Sequence, residues 1–412
     1  MRSLHGVLGI VGLILCCPIY PKSTQAKPPP SVDVVIVGPG DSFHSSFGHT
    51  AVVVTTGSGD GEETQVVYNF GVTKLGNPWF LYDFMMGQSV YWGHRRAYSK
   101  QLKKWVRADR DVRRYRLNAS PEKVGILIDQ LNEMVLKDRR NFTYDLFREN
   151  CVTKVRDVLD KTLGGIIRDN WSGRLANESF RARSEHGYAK HPLLYFAFQW
   201  FLGQGMDHKP DLLLKSGDPM VFGGLIEQLS ERDGKKIFGE PIIDNLRVGP
   251  PPIGGTVYWY PVLMACLCIL GFVPLLAPGR MSRWTYATLL ILSGFIFSML
   301  AALLMYLHLN SQWWEMTGNT LMLLVWPTDI ILVWAGIKYG TSGHILGWLK
   351  IYLTTHLAAS VILLTLGFLI DSLTGPTWPR VVFFSTWLAM ISYLRFRGTQ
   401  SERTTSETVQ TT

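Results

Sequence analysis

A cysteine in the first half of the chain stands where a nucleophile would be activated. Cys151 follows Asn150, a predicted helix N-cap, and opens an apolar pattern at helical spacing formed by Val152, Val155, Val158 and Leu159. The first turn of a helix has free backbone N–H groups and the positive end of the dipole, so this position favours thiolate over thiol. Cys151 is therefore a candidate nucleophile; a buried structural cysteine is the competing interpretation.

A histidine that could serve this cysteine opens a predicted β-hairpin. The β-branched run 50–56 is typical of a buried strand, and residues 65–71 return beside it. This pairing places His49 opposite a residue near positions 69 to 71, and opposed side chains share one face of a sheet. Asn69 is the polar side chain in that window that can orient an imidazole. The pattern predicts a Cys151–His49–Asn69 constellation.

Two alternatives to Asn69 stay open. A register slip of one residue would bring Tyr68 to the position beside His49. His44 lies on the loop before His49, and that loop could fold back toward the site.

Cysteine, histidine and asparagine are the components of a papain-like site. The histidine takes the thiol proton, the asparagine fixes the ring, and backbone N–H groups stabilise an oxyanion. In papain the cysteine comes first, whereas here His49 and Asn69 precede Cys151, so the order is circularly permuted. The sequence has no metal-ligand spacing or phosphate loop, and we expect neither a metal nor another cofactor.

Cysteine usage supports a chemical role for Cys151. Of the five cysteines, four lie in apolar segments, at positions 16, 17, 266 and 268. The intervening soluble part has Cys151 alone and can form no internal disulfide. A single cysteine persisting in an oxidising compartment indicates chemistry rather than packing.

The chain divides into four predicted parts. Residues 1–26 resemble a signal peptide or signal anchor, 27–250 a charged soluble domain, 255–397 a transmembrane domain of five helices, and 398–412 a disordered tail. The predicted spans cover about 256–277, 284–307, 319–338, 349–370 and 380–396. Lys and Arg concentrate in alternate connections, so the positive-inside rule predicts a cytoplasmic tail and a soluble domain outside the cytoplasmic membrane.

Charged residues stand out in a basic run of the soluble part and inside the predicted spans. The net charge is +9, with much of the excess between Arg95 and Arg116. Without a nucleic-acid motif, we exclude nucleic acid and interpret this run as facing lipid head groups, or as a solvated face. Within the predicted spans, Asp329 and His356 either line a polar cavity or form hydrogen bonds between helices.

Several motifs in fixed order resemble a known family. The order of His before an Asn-Cys motif is similar to lecithin retinol acyltransferases and their bacterial relatives. More specifically, the chain resembles the Lnb N-terminal periplasmic domain family through residues 38–41, 46–49, 67–71 and 144–153, and the later 180–181, 202–207 and 319–327 also fit.

This resemblance implies a bacterial lipoprotein N-acyltransferase of the inner membrane. Its partners would be the bilayer, a phospholipid acyl donor and a diacylated lipoprotein whose α-amine accepts the chain. Cys151 would be the nucleophile that forms the thioester, and His49 the base. The predicted substrate-binding residues are Ser46, Tyr68, Tyr144, Asn150 and Arg181. The expected fold is α+β, permuted papain-like with a small antiparallel sheet plus helices, followed by an all-α membrane bundle.

Two other functional classes compete with acyl transfer. A periplasmic papain-like cysteine peptidase or amidase, or a lipid hydrolase, would use the same catalytic groups with a different donor or acceptor. A membrane scaffold without activity would need Cys151 only for packing. The five predicted spans exceed what anchorage of a peptidase requires, which favours a lipid substrate.

Overall fold

An antiparallel sheet of seven strands organises the first half of the chain in the computed structural model, which describes residues 28–57, 63–74, 76–231, 233–252, 254, 257–369 and 377–410. The spatial order is β6-β4-β3-β2-β1-β5-β7. The strands are β1 (Ser31–Val37), β2 (His49–Gly57), β3 (Glu63–Val72), β4 (Val90–Ala97), β5 (Val112–Arg116), β6 (Asn141–Thr143) and β7 (Ile242–Asn245). The predicted α+β class with an antiparallel sheet is confirmed.

Helices cover both faces of the central strands, which explains why β1 and β2 are buried along most of their length and carry apolar residues on both faces. The helices of this domain are α1 (Phe80–Met85), α2 (Tyr98–Arg107), α3 (Pro121–Met134), α4 (Cys151–Thr162), α5 (Ile166–Trp171), α6 (Phe180–Tyr188), α7 (Pro192–Phe201), α8 (Leu212–Lys215) and α9 (Pro219–Ile226). Val52 packs in the cluster that includes α3 and α4, whereas Val53 packs on the opposite face with Trp105 of α2. The centre of the sheet is therefore buried on both sides.

Local sequence signals place the key elements as predicted. The hairpin of β2 and β3 pairs Ala51 with Asn69, and its connecting residues 58–62 lie outside the described residues. Ser120 caps α3, with Pro121 in the first turn. Asn150 caps α4, so Cys151 is its first residue, as predicted. The proposed signal segment, residues 1–26, also lies outside the described part.

The second half of the chain consists mainly of apolar helices. These are α10 (Trp259–Leu270), α11 (Val273–Leu276), α12 (Gly279–Asn310), α13 (Ile331–Ser342), α14 (Gly347–Leu369) and α15 (Thr377–Gln410). Short 3₁₀ segments at Trp314–Met316, Thr320–Leu323 and Pro327–Ile330 precede α13. Within the described residues, α12 and α14 are long and apolar enough to cross a membrane, and the bent pair 314–323 with 327–342 would be a third span.

The prediction of five membrane spans is therefore wrong for the described residues, which provide two or three. In place of the first predicted span, the helix α10 ends at Leu270 and is followed by the short helix α11, whose second residue is Pro274. The third is bent by 51° around Pro327. The last, α15, contains Arg380 near its start and does not reach the same apolarity. The predicted disordered tail, 398–412, is helical as far as Gln410 because α15 continues through it.

The two charged residues of the predicted spans meet each other. His356 Nε2 lies 3.1 Å from Asp329 Oδ1, and both side chains are fully buried. Asp329 also accepts hydrogen bonds from Tyr352 Oη and from the backbone N–H of Trp326. Of the two predicted roles, these contacts fit hydrogen bonding between helices.

One end of α12 is attached to the soluble domain. Just beyond Asn310, the N–H of Gln312 donates to Met86 O at 2.9 Å, and Trp313 Nε1 donates to Tyr144 O at 3.1 Å. At the opposite end of α12, Arg397 donates to Gly279 O. The soluble domain and this basic end are thus separated by the length of α12. Their orientation in a membrane stays a prediction.

Candidate active site

Cys151 is held by a heavily bonded N-cap. Asn150 Oδ1 accepts from the N–H groups of Val152 at 2.8 Å and Thr153 at 3.1 Å. The Asn150 amide nitrogen donates to Leu146 O and Gly217 O, at 2.8 and 3.0 Å. The Asn150 side chain, predicted to bind substrate, thus has its hydrogen bonds committed to the cap and to a neighbouring loop. It positions Cys151.

His49, the first residue of β2, is oriented by Asn69 on the neighbouring strand. Its Nε2 donates a hydrogen bond to Asn69 Oδ1. A neutral imidazole carries one proton, so this tautomer leaves Nδ1 free to accept another. Trp105 packs with its ring 6.2 Å from the His49 ring and is itself buried. The indole therefore helps to keep water from the His49–Asn69 pair.

Gly71 brings the imidazole and the cysteine to the same small space. A Cβ at position 71 would stand 3.1 Å from His49 Cε1, 3.6 Å from His49 Nδ1 and 3.7 Å from Cys151 Cβ. The Nδ1 side of the His49 ring and the Cys151 side chain therefore lie on either side of the space above Gly71. A side chain at residue 71 would crowd this space, and the glycine leaves it open for the two groups to approach.

Burial dominates the electrostatics of the pair. It raises the pKa of the Cys151 thiol to about 11, although the N–H groups of Thr50, Val152 and Cys151 itself and the charge of Arg110 act to lower it. Burial also lowers the pKa of His49 to about 4, aided by Arg110 and opposed by the Asn69 hydrogen bond. Both groups are therefore neutral near pH 7. Desolvation therefore outweighs the helix terminus, which by itself favours the thiolate.

The cysteine opens into an apolar cavity of about 430 Å³. Cys151, His49 and His44 line it together with aromatic and aliphatic side chains, among them Phe47, Phe84, Tyr91, Tyr144, Leu194 and Phe198. The rings of Tyr91 and Tyr144 stack at 4.2 Å, and burial raises the pKa of both phenols. Asp218, an acidic residue in this wall, pairs with Arg183 at 2.6 Å. The cavity therefore suits an apolar group of substrate.

The predicted substrate-binding residues divide into two groups. Tyr144 and Asn150 line the cavity. Ser46, Tyr68 and Arg181 are buried elsewhere in the described structure: Ser46 Oγ donates to Ser42 O, and Tyr68 Oη to Asn132 Oδ1.

Arg181 has a structural position. It pairs with Asp207 at 2.6 Å and donates to the carbonyls of Phe198, Leu202 and Gly203. The sequence around Arg181 does not predict these hydrogen-bond partners of the guanidinium. We therefore assign Arg181 to the fold and not to substrate.

The alternative third member, His44, contacts a different partner. It lies on the exposed 3₁₀ turn Phe43–Ser45, where its Nε2 is 3.3 Å from Ser42 Oγ. His44 lines the cavity, and its pKa is lowered by burial and by Arg110. The structure thus brings Asn69, and not His44, into hydrogen-bond contact with His49.

Sequence reasoning missed Arg110, because it stands inside a run of basic residues that resembled a solvated or lipid-facing surface. In the structure its side chain is buried, and its charge acts on both His49 and Cys151. Other members of the run also serve the fold: Arg114 pairs with Asp33 at 2.8 Å and with Asp244 at 2.6 Å. Among the described residues, no group of three or more His, Cys, Asp or Glu side chains is arranged to hold a metal ion.

Residues 20–174 match the family model of the Lnb N-terminal periplasmic domain. The matched segment contains Cys151, His49 and Asn69, and it supports the Lnb family for this chain. Together with the apolar helices, the match indicates a membrane protein with a periplasmic domain. No curated protein and no solved structure matches the chain.

Proposed function

We propose that this protein is a phospholipid:lipoprotein N-acyltransferase of the bacterial inner membrane. It would transfer an acyl chain through a Cys151 thioester to the α-amine of a diacylated lipoprotein. The single observation that carries this proposal is the location of Cys151 and His49 in an apolar, aromatic-lined cavity. The match to the Lnb periplasmic domain agrees with it.

The position of the cavity relative to the apolar helices supports a lipid donor. Phe80, Leu81 and Phe84 of α1 line one side of the cavity. In the same helix, Tyr82 Oη lies 2.8 Å from Tyr306 Oη of α12, a candidate membrane span. An acyl chain leaving the bilayer along α12 would therefore meet the α1 side of the cavity first.

In the first half-reaction, His49 acts as general base. Its Nδ1 takes the Cys151 proton as the sulfur attacks the ester carbonyl carbon, which forms the C–S bond and an oxyanion. The N–H groups of Thr50, Cys151 and Val152, which face the thiol, are the nearest donors for developing negative charge. The intermediate collapses, the ester C–O bond breaks, and the His49 imidazolium returns the proton to the departing lysophospholipid oxygen.

In the second half-reaction, the neutral α-amine attacks the thioester carbon. His49 removes a proton from the attacking nitrogen, the C–S bond breaks, and the same proton restores the Cys151 thiol. The products are the amide and the free enzyme. A thioester suits this relay because a thiolate is a better leaving group toward an amine than an alkoxide.

Intact mass spectrometry tests the first half-reaction directly. The full chain in detergent is incubated with a phospholipid of defined acyl chains, and we expect one added acyl mass that neutral hydroxylamine removes. Cys151→Ala should show no adduct. Cys151→Ser provides a control because an oxygen ester, if formed, would resist hydroxylamine under those conditions.

Addition of acceptor separates the remaining functions. A diacylated lipopeptide with a free α-amine should discharge the adduct and gain the acyl mass, whereas the same peptide with an acetylated amine should not. Discharge by water alone would indicate a lipid hydrolase. An unmodified protein with phospholipid unconsumed would overturn the proposal and favour peptide chemistry.

A further inference from the structure

A buried cation lies beside the start of β2, whose first residue is His49. Arg110 is 8% exposed, and its Nε donates to Gly38 O at 2.7 Å. One of its terminal nitrogens, Nη2, also reaches Val37 O at 3.4 Å. Val37 is the strand partner of His49 in the β1–β2 pairing. The guanidinium is therefore fixed against the backbone beside the start of β2.

No carboxylate among the described residues compensates this charge. Within the part of the chain that the structure describes, Arg110 forms no ion pair, although neighbouring Arg114 and Arg247 do. Burial lowers the pKa of Arg110 to about 10, so it stays protonated at neutral pH. A buried, unpaired cation costs free energy of folding, and carbonyl hydrogen bonds compensate it only partly. Because Arg110 costs folding free energy in this position, we look for a functional role that its charge could serve.

The field of Arg110 acts on both members of the pair. It lowers the pKa of Cys151 and that of His49. The other titratable groups in the cavity wall supply no compensating negative charge near pH 7. Burial lowers the pKa of His49 and His44 and raises the pKa of Tyr91, Tyr144 and Tyr188. The one acidic residue in the cavity wall, Asp218, is already paired with Arg183.

We propose that Arg110 is a positioning residue whose fixed positive charge stabilises the anionic sulfur of Cys151 as the proton leaves for His49. Arg110 has no anionic partner in the resting protein, and the Cys151 thiolate formed during the reaction would be that partner. Stabilisation of a charge that appears only on reaction lowers the barrier without strengthening ground-state binding. The proposal rests on the proposed function for the identity of the electrophile, but not for the thiol chemistry itself.

Alkylation of Cys151 tests this role without any lipid. The full chain is treated with iodoacetamide between pH 6 and 10, and modification is read from the Cys151 peptide by mass spectrometry. Below the thiol pKa, the rate follows the thiolate fraction. We expect Arg110→Gln to lower the rate about tenfold at pH 8, which corresponds to about one pKa unit. Arg110→Lys, which keeps the charge, should stay within about threefold of wild type.

The control is Lys161→Gln, which removes one positive charge from the exposed far end of α4, about 15 Å along the helix from Cys151. It should leave the alkylation profile unchanged. Thermal unfolding is measured for each variant, since a purely structural Arg110 would lower Tm without moving the profile. That result, or a tenfold loss in a stable Arg110→Lys, would overturn the proposal; Arg110→Lys also decides the question if Arg110→Gln does not fold.

The outcome separates this proposal from the acyltransferase assignment. An alkylation profile that depends on Arg110, combined with no thioester from phospholipid, would keep the role of Arg110 and remove the proposed lipid substrate. A thioester that forms equally well in Arg110→Gln, with an unchanged alkylation profile, would keep the proposed lipid substrate and remove the role of Arg110.

Discussion

The Nε2 atom of His49 donates to the side-chain oxygen of Asn69, and this bond decides which ring nitrogen can act on Cys151. With Nε2 engaged, Nδ1 is the free base, and it lies 3.6 Å from the point above Gly71 that Cys151 also approaches. A half-turn of the ring about its Cβ–Cγ bond would exchange the position of Nδ1 with that of a ring carbon. The orientation of the His49 ring therefore depends on its neighbour Asn69.

Replacement of Asn69 by alanine should reduce thioester formation by about 10²-fold, the cost of a misplaced reacting group. The loss should appear in the rate constant and not in the phospholipid concentration at half-saturation, measured by single-turnover intact mass spectrometry. Asn170→Ala is the control, because the Asn170 amide donates to Ile166 O within α5, away from the site. An Asn69→Ala rate within threefold of wild type would show that the ring needs no such partner.

The pH dependence should reveal a neutral pair. The pKa of His49 is lowered to about 4, so the free base persists as pH falls, and thioester formation should decline only as pH approaches about 4. The pKa of Cys151 is raised to about 11, so iodoacetamide alkylation should rise about tenfold per pH unit from pH 7 to 10. An alkylation rate already at its plateau at pH 6 would instead indicate a resting thiolate–imidazolium pair.

Gly71→Ala should remove activity while the fold persists. The added methyl group would lie 3.1 Å from His49 Cε1 and would separate the ring from Cys151, so we expect at least a 10²-fold loss. Gly125→Ala is the matched control: its Cβ would meet nothing within 4 Å, and it lies within α3. That variant should keep activity and gain about 1 kcal/mol in unfolding free energy. Equal activity in both variants would exclude the close approach described for Gly71.

The cavity should discriminate acyl chains by length. Leu194 lines it, so Leu194→Trp would narrow the space and should slow acylation by long-chain phospholipid about tenfold, with little effect on a short soluble ester. Leu193→Trp is the control, since the adjacent Leu193 is 81% exposed. Acylation rates from a series of chain lengths, measured by intact mass, give the comparison. A uniform loss across chain lengths in Leu194→Trp would point to distortion of the site instead.

Local sequence signals predicted the elements that carry the site. Asn150 before an apolar helical pattern located Cys151 at the start of α4, and the β-branched run after His49 located β2. Both are decided by residues adjacent in the chain, so a single sequence contains them. The same applies to the α+β class.

The errors arose where distant parts of the chain determine the environment. The burial that raises the pKa of Cys151, and the carbonyls that surround Arg181, come from segments far away in sequence. Span counting failed for a related reason: hydropathy does not report the bend at Pro327 or the end of α10 at Leu270. Arg110 shows the same limit, since a buried arginine and an exposed one have identical sequence signals.

The contact between the first half of the chain and the apolar helices is a buried one. Met86, Phe147 and Met206 share one buried cluster with Leu307 and Trp313. Gly203 N donates to Glu315 O at 2.7 Å, and a side chain at Gly203 would overlap Thr317 O. A fragment cut near residue 255 would leave this aromatic face open to water. We therefore expect the first half of the chain to need helix α12 and the segment after it in order to keep this face buried.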